Sequence, residues 1–412
     1  MSNVQAAGRA SLTVLAQGLS SVTNFAAGAF ALDAADGDIG AFGRFAIAFQ
    51  LCQVVIAIGH ASSGTTVLIH GAKNDADGSV DQLRAGAATA AIVIGGGLAA
   101  VITVGGLVAG SDLGTTLLLA AGAPALTSQY TLRASYFAQN NAAGVVRADA
   151  IWLAVLLAAA AGDAMGGWHP SPDDYLAVWL IGAAVSALPS LLVGLGRGRR
   201  HLGLFWATTG PQAIRTGADS LLARSVFVFT LFAAERIVGV EASGVIAAAV
   251  LVFSPLTVVH TSSAAVVIPA NIRRRGIHIP SPRLPLQAAA AIAAITLGWA
   301  AFLLVFNETR YAFGPFDLDS AGVTGALFAA TLVRFLAMAF WRGPELALRI
   351  ADAATASLQA RMVGTCVQWI VPVIGFAVAD VNGGAFGLGI ATWVGALVAW
   401  ERYRQLGPPS PA

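Results

Sequence analysis

The stretch Phe42–Gly71, FGRFAIAFQLCQVVIAIGHASSGTTVLIHG, decides the fold. A bilayer core needs about 20 apolar residues of helix to cross it, and this run is long enough. It also carries Arg44, Gln50, Gln53 and His60, polar groups that a soluble core would exclude. A second stretch, Ala242–Asn271, ASGVIAAAVLVFSPLTVVHTSSAAVVIPAN, aligns with it without a gap. Leu51 meets Leu251, His60 meets His260, Ser62 meets Ser262 and Ser63 meets Ser263. The pair reads as two equivalent membrane helices, each the second of its half, tied by the shared H-[AT]-S-S.

Composition supports that reading. The chain is 57% hydrophobic and 11% charged, against about 25% charged in soluble domains, and its mean hydropathy is +0.74. Lipid is therefore its main solvent, and it is an integral membrane protein. Its 46 glycines suit close helix packing. Cys52 and Cys366 lie in apolar runs and form neither a disulfide framework nor a CxxC site. The first apolar run has no cleavage signal and reads as a retained helix.

Apolar runs predict spans at 10–32, 41–70, 85–109, 113–137, 145–163 and 174–195, then 211–234, 242–270, 286–306, 321–341, 361–379 and 383–400. That is an all-α membrane protein of about twelve helices in two parallel six-helix bundles, 1–195 and 211–404. The basic stretch 196–210 is the connector and 405–412 a disordered tail. Segment 342–360 reads either as an amphipathic surface helix or as the end of the tenth helix. Pro124, Pro189, Pro255, Pro269 and Pro372 should kink their helices.

Lys and Arg in short loops set orientation. With a cytoplasmic N-terminus, the outer side receives only Arg236 and Arg310, and its loops carry Asp33, Asp36, Asp38, Asp173, Asp174, Glu235, Glu241, Glu308, Asp317 and Asp319. Both termini are therefore expected to be cytoplasmic. Arg197, Arg199, Arg200 and His201 of the connector would lie at the anionic inner leaflet. Six helices per half makes the repeats parallel, and transporters built so bind between the halves and rock to alternate access.

Charges within the spans are the informative residues, because each costs about 2.5–3.5 kcal/mol on insertion scales. Arg44, Arg215, Asp219, Arg224 and Arg334 qualify. Arg44 and Arg215 lie near span ends, from which snorkelling is the competing reading. Arg215 and Asp219 are one turn apart and can pair. Arg224 and Arg334 lie near mid-membrane and are expected to line a polar cavity. Four arginines against one aspartate favour an anionic cargo, since a guanidinium offers a planar fork of donors to phosphate oxygens. Asp149 lies at the edge of the fifth predicted span, and Arg133 and Arg147 lie near helix ends. Asn24, with Gln17, Ser20 and Ser21, forms a polar stripe on the first helix that either hydrates a cavity or bonds neighbouring helices. His60 and His260, with Asp219, are candidates for proton or ion coupling, against the reading of neutral histidines in helix contacts.

No GxxxxGK[ST], HExxH or GxSxG occurs, and Lys73 is the only lysine. An enzyme is not expected, nor a cofactor, a metal or a nucleic-acid partner.

Several stretches carry a family resemblance. QGLSSVTNFAAGAFAL with FGRFAIAFQLCQVVIAIG, TLRASYFAQNNAAGVVRADAIW, GVIAAAVLVFSPLTVV and GGAFGLGIATWVGALVAWERYR resemble polysaccharide flippases of the multidrug/oligosaccharidyl-lipid/polysaccharide (MOP) exporter superfamily. The resemblance implies a MATE-like pair of six-helix bundles that flips a lipid-linked saccharide across a bacterial plasma membrane, coupled to potential or an ion gradient. Its expected partners are an undecaprenyl-pyrophosphate-type saccharide, membrane lipid and glycan-assembly enzymes. Ile56 and Ala57 stand where the lipid II flippase branch has paired arginines, which puts lipid II itself in doubt. The alternative reading is an ion-coupled multidrug exporter of the MATE type, using Asp219 or Asp149.

Overall fold

A computed structural model describes residues 3–70, 79–139, 141–257, 259, 267–268, 271, 278–307, 318, 322–351 and 353–407. Helices account for the architecture, and no strand occurs among the described residues. The first half runs α1 (Asn3–Ala34), α2 (Ile39–Gly59), a π turn (His60–Gly64) continuing into α3 (Thr65–His70), α4 (Ser79–Ala109), α5 (Leu113–Ala138), α6 (Ala142–Ala164) and α7 (Pro172–Leu195). The second runs α8 (Leu202–Ile237), α9 (Val240–Phe253), α10 (Arg283–Asn307), α11 (Gly325–Ile350) and α12 (Ala354–Arg404). Eight helices among the described residues are long and apolar enough to cross a membrane by themselves, so the chain is a multi-pass membrane protein.

Local chemistry sets the ends. Asp112 caps α5 by accepting from the Thr115 N–H at 2.7 Å, Asn141 caps α6 from the Gly144 N–H, and Ser171 with Asp174 forms a capping box on α7. α9 stops at Phe253 because Ser254–Pro255 interrupts it, as expected from Pro255. Pro269 and His260 lie outside the described residues. α12 is two helices joined at Ala379 (φ −145°) and Asp380 (φ +51°). The arms return so closely that a Cβ on Gly387 would meet the Val371 carbonyl oxygen at 2.9 Å. This matches the expected break between 379 and 383. Segment 342–350 continues the tenth helix and is buried at Glu345, Leu346, Ala347 and Ile350, which decides between the two readings.

Two features bear on the expected domain boundary. The connector 196–210 is mostly helical: a 3₁₀ turn spans Arg197–His201 and α8 begins at Leu202. The physical reason is Phe205, fully buried among Val67, Leu83, Ala87 and Ala90, which draws residues 202–210 onto the first half as a helix. Packing also divides the chain inside two helices. One compact unit is Met1–Ala34 with Ala48–Arg224, and the other is Ala35–Ile47 with Ser225–Ala412. In the first unit the Thr216 hydroxyl donates to the Ala61 carbonyl at 2.9 Å, and Gly217 faces Ser62. In the second, Gly43 of α2 lies against α9, where an added Cβ would sit 2.8 Å from the Val240 carbonyl oxygen.

Candidate functional site

The first unit holds a polar cluster inside its helices. α5 contributes the run Ser128–Gln129–Tyr130–Thr131–Leu132–Arg133. At a 3.6-residue period, Gln129 and Arg133 share one face. That face meets Asp149 of α6. The Arg133 Nη1 lies 3.4 Å from the Asp149 Oδ1, with the two side chains 4% and 0% exposed. The Gln129 Nε2 donates to the same oxygen at 3.1 Å, and the Arg133 Nη2 donates to the Gln17 Oε1 of α1 at 3.4 Å. The guanidinium also covers the Tyr130 ring at 5.1 Å. Tyr130 is 3.4 Å from the Ser20 hydroxyl and edge-on to both His60 and Trp152. The Trp152 Nε1 donates to the Trp179 carbonyl at 2.7 Å, which locks α6 on α7.

This cluster is costly to bury, so its pairing matters. The Arg133 Nη1, Gln129 Oε1, Asp149 Oδ2 and Ser128 Oγ are all buried with no hydrogen-bond partner among the described residues. The neighbouring guanidinium opposes a metal ion at Asp149. Among the described residues no group of three or more His, Cys, Asp or Glu side chains is placed to hold a metal.

The π turn supports the same region. A π turn releases backbone carbonyls from the α pattern. Here the Thr65 hydroxyl takes the His60 carbonyl, Thr66 takes those of Ser62 and Ser63, and Thr216 takes that of Ala61. The Ser63 hydroxyl sits 2.5 Å from that of Thr131 on α5. A Cβ on Gly59 would meet the Thr127 Cγ2 at 2.6 Å, so α2 and α5 approach closely here.

The expected site residues divide into two sets. Asn24 and His60 do belong to the first unit's polar interior: Asn24 accepts from the Gln53 Nε2 at 3.4 Å, and half-buried His60 faces Tyr130. Arg44, Arg215 and Arg224 are exposed on α2 and α8. Arg334 on α11 is half-buried, its guanidinium 4.6 Å from the Phe227 ring centre. Asp219 is half-buried, one turn along α8 from the exposed Arg215. Sequence reading did not pair Arg133 with Asp149, since it placed both near helix ends. α6 starts at Ala142, so Asp149 lies two turns inside it, not at its edge.

A second charged cluster closes the end of α11 in the other unit. Glu345 is held by Arg342 at 2.8 Å, Arg349 at 2.7 Å and Arg361 of α12 at 3.6 Å. Arg361 also stacks 4.5 Å from the Trp341 ring. Bonds from α11 and α12 to one buried carboxylate make this a clamp between helices.

No family model and no curated protein matches the sequence. Solved structures do match along nearly the whole chain. A multidrug resistance MATE family transporter of the MOP superfamily, in an outward-facing conformation, aligns at a TM-score of 0.65 and 15% identity over 96% of this chain and 94% of its own. This chain has the MATE transporter fold. A MATE structure in the bent conformation aligns at 0.57 and 15% identity, covering 96% and 93%. A MOP superfamily transporter from Pyrococcus furiosus, described as having a binding pocket of reverse polarity that suggests a different function, aligns at 0.62 and 13% identity, covering 96% and 94%. Identities this low establish the MATE architecture, and the cargo must be argued from the residues.

Proposed function

We propose that the protein is an alternating-access exporter of an anionic, lipid-linked saccharide of the undecaprenyl-pyrophosphate type. The observation that supports this is the charge balance inside the spans. Asp149 is already held by Arg133, which leaves Arg44, Arg215, Arg224 and Arg334 against Asp219. A surplus of guanidinium groups in low dielectric suits phosphate oxygens and repels a cation. Arg224 and Arg334 contact the pyrophosphate, and Arg44 and Arg215 contribute less. The protein sits in a bacterial plasma membrane with both termini cytoplasmic, the arrangement that its Lys and Arg distribution favours. Enzymes of glycan assembly supply its cargo. The reverse pocket polarity described for the Pyrococcus furiosus relative is in keeping with different cargo charge on one fold.

The test is export of a cell-surface glycan by Arg224→Ala and Arg334→Ala variants. Loss of surface glycan at unchanged protein level supports the reading, and unchanged display in both variants refutes it.

The second reading is a multidrug exporter coupled to ion exchange at Asp219 or Asp149. The similar structures described as multidrug resistance transporters favour it. Loss of drug resistance in Asp219→Asn, with protein level and glycan display intact, would select it.

A further inference from the structure

The connector turn Arg197–His201 is a mounted basic surface. Gly198 is its buried residue and faces α4. A Cβ there would overlap the Ala85 carbonyl oxygen and come within 2.5 Å of the Thr89 Oγ1. The Thr89 hydroxyl in turn donates to the Gly194 carbonyl at 2.7 Å, and is buried. Gly86 receives the turn from the other side, where a Cβ would meet the His201 carbonyl oxygen at 2.5 Å. Two glycines and one hydroxyl thus seat the turn on α4 and α7, with no room for a larger side chain at either contact.

What the turn presents is positive. Arg197, Arg199 and Arg200 are exposed, and none makes an ion pair or side-chain hydrogen bond among the described residues. The Glu345 clamp is the contrast: there a buried carboxylate engages each arginine. A 3₁₀ turn repeats every three residues with about 2 Å rise, so Arg197 and Arg200 stand in one column about 6 Å apart. That spacing lets two guanidinium groups bracket one phosphate. Leu192 and Leu195, in the last turn of the spanning helix α7, are 69% and 51% exposed. The arginines therefore begin where the lipid-facing apolar surface ends, at headgroup level.

We propose that Arg197, Arg199 and Arg200 form a docking site for the phosphate of an anionic phospholipid headgroup, built on the turn that Gly198 seats against α4. The connector is then a fixed lipid contact rather than a loose link. The site is separate from the arginines assigned to the exported cargo.

The experiment is native mass spectrometry of the full-length protein in detergent, titrated with phosphatidylglycerol or phosphatidylcholine of matched chains. The wild type should retain phosphatidylglycerol preferentially. Each arginine near a membrane surface contributes about a fivefold preference, so Arg197→Gln/Arg200→Gln should lower phosphatidylglycerol affinity about 25-fold. Gly198→Ala keeps every arginine but unseats the turn, and should lose the preference too. If Gly198→Ala fails to fold, Gly86→Ala, at the turn's other seat, replaces it. Equal retention of the two lipids, or unchanged binding in the double arginine variant, overturns the proposal. Full binding by a folded Gly198→Ala or Gly86→Ala variant overturns the built site in favour of diffuse attraction. Displacement of the lipid by millimolar inorganic phosphate assigns the site to a free anion and overturns the lipid assignment. None of these outcomes depends on what the transporter exports.

Discussion

Breaking the Arg133–Asp149 pair from one side should cost far more than removing both charges. At 3.4 Å and an effective dielectric of about 20, the attraction is about 5 kcal/mol. Burial offsets much of that in the native protein. Deleting one partner, however, leaves the other charge uncompensated, at a cost of about 3–5 kcal/mol. Asp149→Asn keeps the shape and the Gln129 contact but strands Arg133. Arg133→Met keeps the alkyl bulk over Tyr130 but strands Asp149. Each single variant should therefore be destabilised by about 3–5 kcal/mol. The double variant should lie within about 1 kcal/mol of wild type, since replacing a buried pair outright is often neutral. The assay is a double-mutant cycle on reversible unfolding in mixed micelles, with the coupling term read directly. Additive effects, or single variants within about 0.5 kcal/mol of wild type, would refute a buried and mutually dependent pair.

Three further outcomes follow from the packing. Glu345→Gln should destabilise the second unit by about 3–5 kcal/mol, because it leaves the guanidinium groups of Arg342, Arg349 and Arg361 facing one another; chemical unfolding of the purified protein measures it. Gly43→Val should cost about 1–3 kcal/mol by overpacking against Val240 and Ser243, whereas Gly18→Val, where nothing lies within 4 Å, should not; thermal unfolding of the two variants compares them. The Asp112 carboxyl, between α4 and α5, is held below its ordinary value of 3.8 by the Thr115 N–H that it caps. Its folded pKa is the lower one, so its contribution is present above the unfolded value and lost as pH falls through the folded one. The melting-temperature gap between wild type and Asp112→Ala should close as pH drops below 3.8.

The helices were largely readable because each must satisfy its backbone within the bilayer, which makes apolar runs a dependable ruler. The end of α7 at Leu195 and the break near 379 followed from that rule. The π turn His60–Gly64 did not, although its Gly and Ser content and the Thr65–Thr66 pair that follows are what let α5 approach and hydroxyls take the released carbonyls. α8 begins at Leu202, ahead of the apolar span predicted from 211, because the apolar run is interrupted by polar and basic residues while Phe205 anchors the helix there through tertiary packing. Asp149 was misjudged through its helix boundary: a start at Ala142 instead of 145 places it three residues deeper, two turns inside the helix. The Arg342–Glu345–Arg349 spacing of three and four was legible on one helix, but the arrival of Arg361 from α12 is tertiary. Arg224 and Arg334 stand out in the sequence because charge in a span is conspicuous, but their surroundings depend on packing that no periodicity encodes.

The most direct test of the cargo assignment is translocation of a pyrophosphate-linked lipid saccharide in proteoliposomes. The wild type should move it across the bilayer. Charge-assisted bonds to phosphate are worth about 1.5–3 kcal/mol each, so Arg224→Ala and Arg334→Ala should each slow translocation about ten- to a hundredfold while remaining folded. Translocation at the wild-type rate in both variants would contradict the account, as would exchange of a cationic drug that depends on Asp219 and ignores both arginines.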